Sequence, residues 1–435
     1  LFSHLMSYLW LFFYALLGLI VNAVHCLDNG LARTPPMGWM SWQRFRCQID
    51  CQFYPEDCIS EKLIKRTADR LVSDGWRDVG YRYVIIDDCW QSKLRDRVTE
   101  EITADAQRFP NGIEKMGEYI HSNGLLFGIY LDYGTLTCEG YPGSMDYLEL
   151  DANSLAKWQV DYVKVDGCFS PQERMPGGFE DFGKYLNKTG RPIVYSCSYP
   201  AYIDWRSNAS VIDWERLKRN CNLWRILFDV QDSWSSVLSI IEVYKKFGSV
   251  LNPIAGPGRW NDPDMLILGN FGLSKDQQRV QMGMWCMLAA PLLISADLDR
   301  MDSFSENLLK NPYLLAINQD SGGHEARFIG EQHGVQLWIR ELEQEPQGWS
   351  IAFVYPVDGG GPIHLPISLK DMGVKNTELF EEEDVYYSLT DVFDGSVFGK
   401  VKLDEKFFVH VNPTGIVMFR VHKETMDYYM DFYIL

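Results

Sequence analysis

The stretch Asp161-Tyr162-Val163-Lys164-Val165-Asp166-Gly167-Cys168 decides the fold. Its middle is apolar and β-branched, the composition of a buried strand. It ends on a carboxylate and then a glycine that suits a turn. Charge inside such a run is costly unless it is paired or put to use. Lys164 and Asp166 stand two apart, so in a strand both project from one face. That juxtaposition fits either a structural ion pair or a working acid beside an ammonium. The same pattern, an apolar strand ending in an acid, recurs along the chain.

On the N-terminal side, strands are expected at residues 37–42, 81–88 and 125–132, with helices at 60–75, 112–123 and 154–159 between and after them. Ser60 is the expected N-cap of the first helix, and Leu63, Ala68, Leu71 and Val72 form its apolar side. On the C-terminal side, strands are expected at 192–197, 223–229, 262–268 and 290–296, with a helix at 278–289. Eight strands alternating with helices predict a (β/α)8 barrel over residues 27–320. In that fold the chemistry sits at the C-terminal ends of the strands. Asp87, Asp88, Asp132, Asp166, Asp229 and Asp264 all fall at or near such ends. Several acids converging on one mouth read as an active site.

After Asp320 the texture changes. Short strands at 335–340, 349–355, 385–389 and 415–421, with turn signals between them, predict a C-terminal antiparallel β-sandwich over residues 321–435. It carries no acid cluster of its own and reads as structural or accessory.

A net charge of −18 and a pI near 4.9 argue against nucleic acid and anionic membrane as partners. Residues 8–21 form a continuous apolar run that is short for a membrane span and fits a signal h-region, so residues 1–26 are expected to be a signal peptide. Met6 is a candidate start, and a signal anchor is the alternative. Ten cysteines suit an exported chain. Cys26 is expected to leave with the signal, and the odd number left implies at least one free thiol. Cys286, in an apolar run, is the candidate. Cys47-x3-Cys51-x6-Cys58 could hold a metal, although export favours disulfides. Asn187-Lys-Thr and Asn208-Ala-Ser are acceptor sequons for N-glycans.

Several segments together resemble the animal α-galactosidase and α-N-acetylgalactosaminidase family of glycoside hydrolases. They are Thr34-Pro-Pro-Met-Gly-Trp39, Ile86-Asp-Asp-Cys-Trp90, Lys164-Val-Asp-Gly-Cys168, Cys221-Asn-Leu-Trp-Arg225 and Ala255-Gly-Pro-Gly-Arg-Trp-Asn-Asp-Pro-Asp-Met265. The resemblance runs from Leu27 to about Asp320; beyond it the match is loose, through features such as Asn412-Pro-Thr-Gly. It implies a barrel followed by an antiparallel β domain, and retaining hydrolysis of a terminal α-galactosidic bond. By the resemblance Asp166 is the nucleophile and Asp229 the general acid/base, with a raised pKa. Retention requires the two carboxyls to stand about 5–5.5 Å apart. Asp87 and Asp88 would grip the sugar's axial and terminal hydroxyls, although an acid pair can also bind Ca²⁺ or Mg²⁺. Trp42 would form an apolar wall, and Tyr130, Lys164, Arg225 and Asp264 would bond other hydroxyls. The resemblance pairs Cys47 with Cys89, Cys51 with Cys58, Cys138 with Cys168, and Cys197 with Cys221, leaving Cys286 free. It implies no metal, nucleotide or organic cofactor. It suggests a homodimer in the lysosome, secretion being the alternative.

Substrate choice is expected to lie in Ser196-Cys197-Ser198-Tyr199-Pro200-Ala201-Tyr202. The α-galactosidase branch carries Glu and Leu where this chain has Ser198 and Ala201. Ser and Ala leave room for a 2-N-acetyl group, so this stretch resembles the N-acetylgalactosaminidase branch, and Tyr202 is read as a further substrate contact. Tyr199 departs from the usual Trp. The alternatives are an α-galactosidase, an enzyme that handles both sugars, and a non-catalytic lectin-like relative.

Overall fold

The computed structural model describes residues 29–344, 347–375 and 385–424. The expected signal segment, residues 1–26, lies outside them.

Eight short strands form the heart of the chain: β1 (Met37–Met40), β2 (Tyr83–Ile86), β3 (Leu126–Asp132), β4 (Tyr162–Asp166), β5 (Val194–Cys197), β6 (Leu223–Arg225), β7 (Trp260–Asp262) and β8 (Leu292–Ile294). Neighbours pair in parallel in chain order, and β8 returns to pair with β1. A parallel bridge between Leu266, just past β7, and Ile294 closes the circle. The strands are apolar with little alternation because helices cover the outside and side chains fill the inside. The helix Glu61–Ser73 shows the local logic: the Ser60 hydroxyl accepts the Leu63 N–H, and Leu63, Ile64, Ala68 and Leu71 are buried.

Of the boundaries that differ from the sequence expectation, four stand out. β1 stops at Met40, and Trp42 opens a short helix, Trp42–Phe45. The helix before β4 is Leu148–Lys157, so it begins a turn and a half before residue 154. β6 stops at Arg225, which leaves Asp229 in the following loop. β7 lies upstream of the expected 262–268, because Pro263 has no N–H to continue the ladder and Asp264 adopts a left-handed φ of 79°. The helices Met175–Lys188, Trp214–Asn220 and Trp234–Leu251 supply the crossovers around β5, β6 and β7.

Beyond the barrel come β9 (Arg327–Gln332), β10 (Val335–Leu342), β11 (Gly348–Tyr355), β12 (Ile363–Ile367), β13 (Tyr387–Asp391), β14 (Val397–Val401), β15 (Phe407–Val411) and β16 (Gly415–Lys423). Six of them form an antiparallel sheet in the order β14-β13-β16-β11-β10-β9, and β12 pairs with β15. The two sheets enclose a second core that includes Leu337, Ile339, Phe353, Leu365, Val409 and Phe419. Alternation along β10 splits its side chains: Leu337 and Ile339 face that core, and Trp338 joins the barrel's.

The helix Lys275–Met287 lies where the two units meet. From Val280 to Met287 every residue is buried, because the barrel covers one side and Ile416 and Met418 of β16 cover another. Gly283 permits this approach: a Cβ there would stand 2.9 Å from the Ile416 Cδ1.

Candidate active site

A cavity of about 370 Å³ opens at the C-terminal ends of the barrel strands. It collects Trp42, Asp87, Asp88, Tyr130, Lys164, Asp166, Ser198, Ala201, Tyr202, Arg225 and Asp229.

Lys164, from the middle of β4, points inward and pairs with Asp87 at 2.8 Å; the two side chains are 5% and 2% exposed. The ammonium therefore bonds the acid at the end of β2, two strands away, rather than Asp166, the partner suggested by strand spacing. Burial raises the Asp87 carboxyl above its ordinary range, and Lys164 opposes that rise. Burial also pushes Asp88 up to about 7, even though the N–H groups of Cys89 (2.6 Å) and Glu139 (3.2 Å) bond its oxygens. Two close carboxyls in a dry pocket disfavour a second negative charge.

Asp166 ends β4 and accepts the Tyr202 hydroxyl and, at 3.1 Å, the Gly167 N–H on the same oxygen. Burial and the nearby Asp166 hold the Tyr202 phenol in its protonated, donating form. Asp229 approaches from the loop after β6. Trp42 Nε1 donates to its Oδ2 at 2.9 Å, and an Arg225 nitrogen lies 3.2 Å from its Oδ1. Burial would raise the Asp229 carboxyl, but the charges of Arg225 and Lys164 and the Trp42 bond outweigh it, so its pKa is lowered. The expectation of a raised value fails for this arrangement, because two cations from β4 and β6 converge on the acid.

Asp264 does not line the cavity. It lies behind it, 3.0 Å from Arg225, and accepts the Val230 N–H at 2.8 Å. Through this one oxygen, Oδ2, it anchors the guanidinium and the loop that carries Asp229. The wall opposite is built from small groups. Ser198 follows β5, and Ala201 lies in the single turn Tyr199–Tyr202. The Ser198 Oγ is buried and has no hydrogen-bond partner among the described residues.

Disulfides brace the mouth. Cys47–Cys89 ties the loops after β1 and β2, Cys138–Cys168 those after β3 and β4, and Cys197–Cys221 ties the end of β5 to the approach to β6. Cys51–Cys58 closes a smaller loop, and the Cys286 thiol is buried. Asn187 and Asn208 are both exposed. Leu227, Phe228 and Gln231 also line the cavity and were not singled out from the sequence. Their signal was the apolar pair Leu227-Phe228 set directly against Asp229.

A family model described as alpha galactosidase A matches residues 34–320, the barrel with all of these cavity residues. The chain belongs to the melibiase family. Its members are glycoside hydrolases of family 27. Among curated relatives, this melibiase is 44% identical to alpha-N-acetylgalactosaminidase of Gallus gallus, over 90% of this chain and 94% of that one. It is 43% identical to the Homo sapiens alpha-N-acetylgalactosaminidase, over 92% and 95% of the two chains. It is also 40% identical to alpha-galactosidase A of Homo sapiens, over 96% and 95%. The solved alpha-galactosidase I of Mortierella vinacea superposes with a TM-score of 0.79 at 29% identity, covering 91% of this chain and 98% of that one. The (β/α)8 barrel with a C-terminal antiparallel unit is thus the family's architecture. Among the described residues no helix is long and apolar enough to cross a membrane.

Proposed function

We propose that this melibiase is a retaining exo-glycosidase that removes terminal α-linked N-acetylgalactosamine from glycoconjugates. Identities of 43% and 40% to the two human enzymes lie too close together to choose the sugar. The reading rests on Ser198 and Ala201, two small side chains in the cavity wall, and on the unpartnered Ser198 hydroxyl. An N-acetyl group fits that space: its amide answers the hydroxyl and its methyl lies against Ala201.

In this mechanism the Asp166 carboxylate attacks the anomeric carbon, and Tyr202 orients it through the shared hydrogen bond. Asp229 gives its proton to the departing oxygen, so the glycosidic bond breaks as the Asp166 ester forms. Water then attacks the anomeric carbon from the face the aglycone left, and the bond to Asp166 breaks. Asp229 takes the water's proton, and the sugar leaves with its configuration retained. Asp87, Asp88, Lys164 and Tyr130 line the remaining wall as hydroxyl partners, and Trp42 supplies an apolar face. The lowered pKa of Asp229 confines its protonated form to acid conditions, which suits an acidic compartment. Four disulfides suit the secretory route, with the lysosome as the end point. The exposed Asn187 and Asn208 are its N-glycan sites.

A paired assay tests the sugar. On α-GalNAc and α-galactose substrates with one leaving group, the α-GalNAc substrate is expected to be preferred, with residual α-galactosidase activity. The residual activity arises because a roomy pocket does not exclude a bare hydroxyl and lost apolar contact costs only about 1–3 kcal/mol. Ser198→Glu with Ala201→Leu is expected to reverse the preference. A wild-type preference for the α-galactoside sinks the assignment and leaves the mechanism standing.

The pH profile tests Asp229. The Trp42 N–H stabilises the Asp229 anion, so Trp42→Phe is expected to raise its pKa and keep it protonated to higher pH. The alkaline limb of kcat/KM then moves upward. An unmoved limb means that another group titrates.

A further inference from the structure

Phe228 lines the cavity beside Asp229 and yet is 68% exposed, so its ring stands at the rim and not in the wall. The two residues before it, Ile226 and Leu227, are only 1% and 8% exposed. The loop therefore tucks in its other apolar side chains and turns this one outward. An exposed apolar residue is ordinary by itself. Phe169 and Phe271 are also largely exposed, but neither lines the cavity. What distinguishes Phe228 is its neighbour: Asp229 is the residue assigned to protonate the departing oxygen. The first unit of the aglycone must therefore occupy the space in front of Asp229, and residue 228 borders that space.

The surroundings define the chemistry. The Arg206 guanidinium lies over one face of the Phe228 ring, 5.8 Å from its centroid, and brings N–H donors beside the other, free face. Gln231, also at the cavity, is held by Arg46 at 2.9 Å and donates to the Asp229 carbonyl at 3.1 Å. A rigid aromatic face flanked by polar groups complements a pyranose, which offers a flat C–H face and a ring of hydroxyls. An acyl chain would gain from the ring but nothing from the donors around it. A peptide's carbonyls would use the donors, but its backbone offers the ring no flat C–H face.

We propose that Phe228 forms a subsite for a second pyranose, so that the preferred substrates carry the terminal sugar on another sugar. This deepens the reading of the site as a retaining α-glycosidase and rests on it. Binding to the subsite adds affinity on the leaving-group side without touching the sugar that reacts.

The experiment compares kcat/KM on a methyl α-glycoside with that on the same sugar α-linked to a methyl galactoside. Aryl leaving groups are avoided because they would themselves stack on the ring. Phe228→Ala is expected to lose about 10-fold on the disaccharide, mainly through KM, and nothing on the methyl glycoside. Phe228→Trp is expected to retain the disaccharide activity. Equal losses on both substrates, or no loss on the disaccharide, overturn the subsite. So does a loss seen only with serine-linked or alkyl-linked glycosides. Running the series with both terminal GalNAc and terminal galactose separates the two readings. Wild-type cleavage of galactosides alone sinks the sugar assignment, while Phe228 is still read from the galactose series.

Discussion

Asp166→Asn is expected to lower turnover of every α-glycoside by at least about 10⁴-fold while leaving the fold in place. The substitution keeps the side chain's size and its contacts with Tyr202 and Gly167 but removes the nucleophilic oxygen pair. Near-wild-type circular dichroism and melting temperature check the fold. A second variant, Asp166→Ala, opens room for azide, and its product stereochemistry reads the role directly. Azide replacing the nucleophile attacks the face opposite the aglycone and yields a β-glycosyl azide. In Asp229→Ala the glycosyl-enzyme still forms on substrates with good leaving groups, and azide then yields the α-product. Unchanged turnover in Asp166→Asn, or an α-azide from Asp166→Ala, refutes the assignment.

Lys164→Met is expected to destabilise the protein by about 3–5 kcal/mol at neutral pH, the range for leaving one member of a buried ion pair alone. At 2% exposure, Asp87 is largely shielded from water that could replace the ammonium. The sign of the pH dependence follows from the shift. Burial raises the folded-state pKa of Asp87 above its unfolded value, so its ionisation opposes folding as pH climbs. Lys164 limits that cost, and its removal enlarges it. At a pH low enough for Asp87 to be protonated in the folded chain, the loss shrinks. Urea unfolding of both proteins at neutral and acid pH measures it. A loss that is independent of pH would mean that Lys164 contributes packing and not charge.

The barrel was legible because its evidence is local and repeated. Strands such as β3 and β4 are long enough to display buried apolar composition and a terminal acid. Where strands shrink to three residues, as in β6 and β7, composition no longer marks their ends, and Asp229 and Asp264 drift into the wrong context. The same weakness hid β9, β12, β14 and β15, short segments with a mixed or exposed face. Spacing alone also left the cysteines near residue 50 open to metal or disulfide, and the pairing came only from the resemblance. What no segment could carry were the long-range terms. Lys164 chooses Asp87 across the sheet rather than its own strand neighbour. Asp264 holds Arg225 and the Val230 N–H through its Oδ2. The lowering of the Asp229 pKa draws on Lys164, distant in sequence, as well as on Arg225 just four residues before it.

The helix Lys275–Met287 has a consequence for inheritance. The second half of this helix, buried on every side from Val280 to Met287, stays hidden only while both the barrel and the C-terminal sheet are folded and in contact. A substitution in β16 at Ile416 or Met418, remote from every reacting atom, loosens that seal and offers the helix to chaperones and proteases. Cells carrying such an allele lack the protein rather than the chemistry: each surviving molecule turns over normally, and too few survive. A ligand that fills the mouth and favours the folded chain restores abundance for that class of defect, and does nothing for the loss of Asp166.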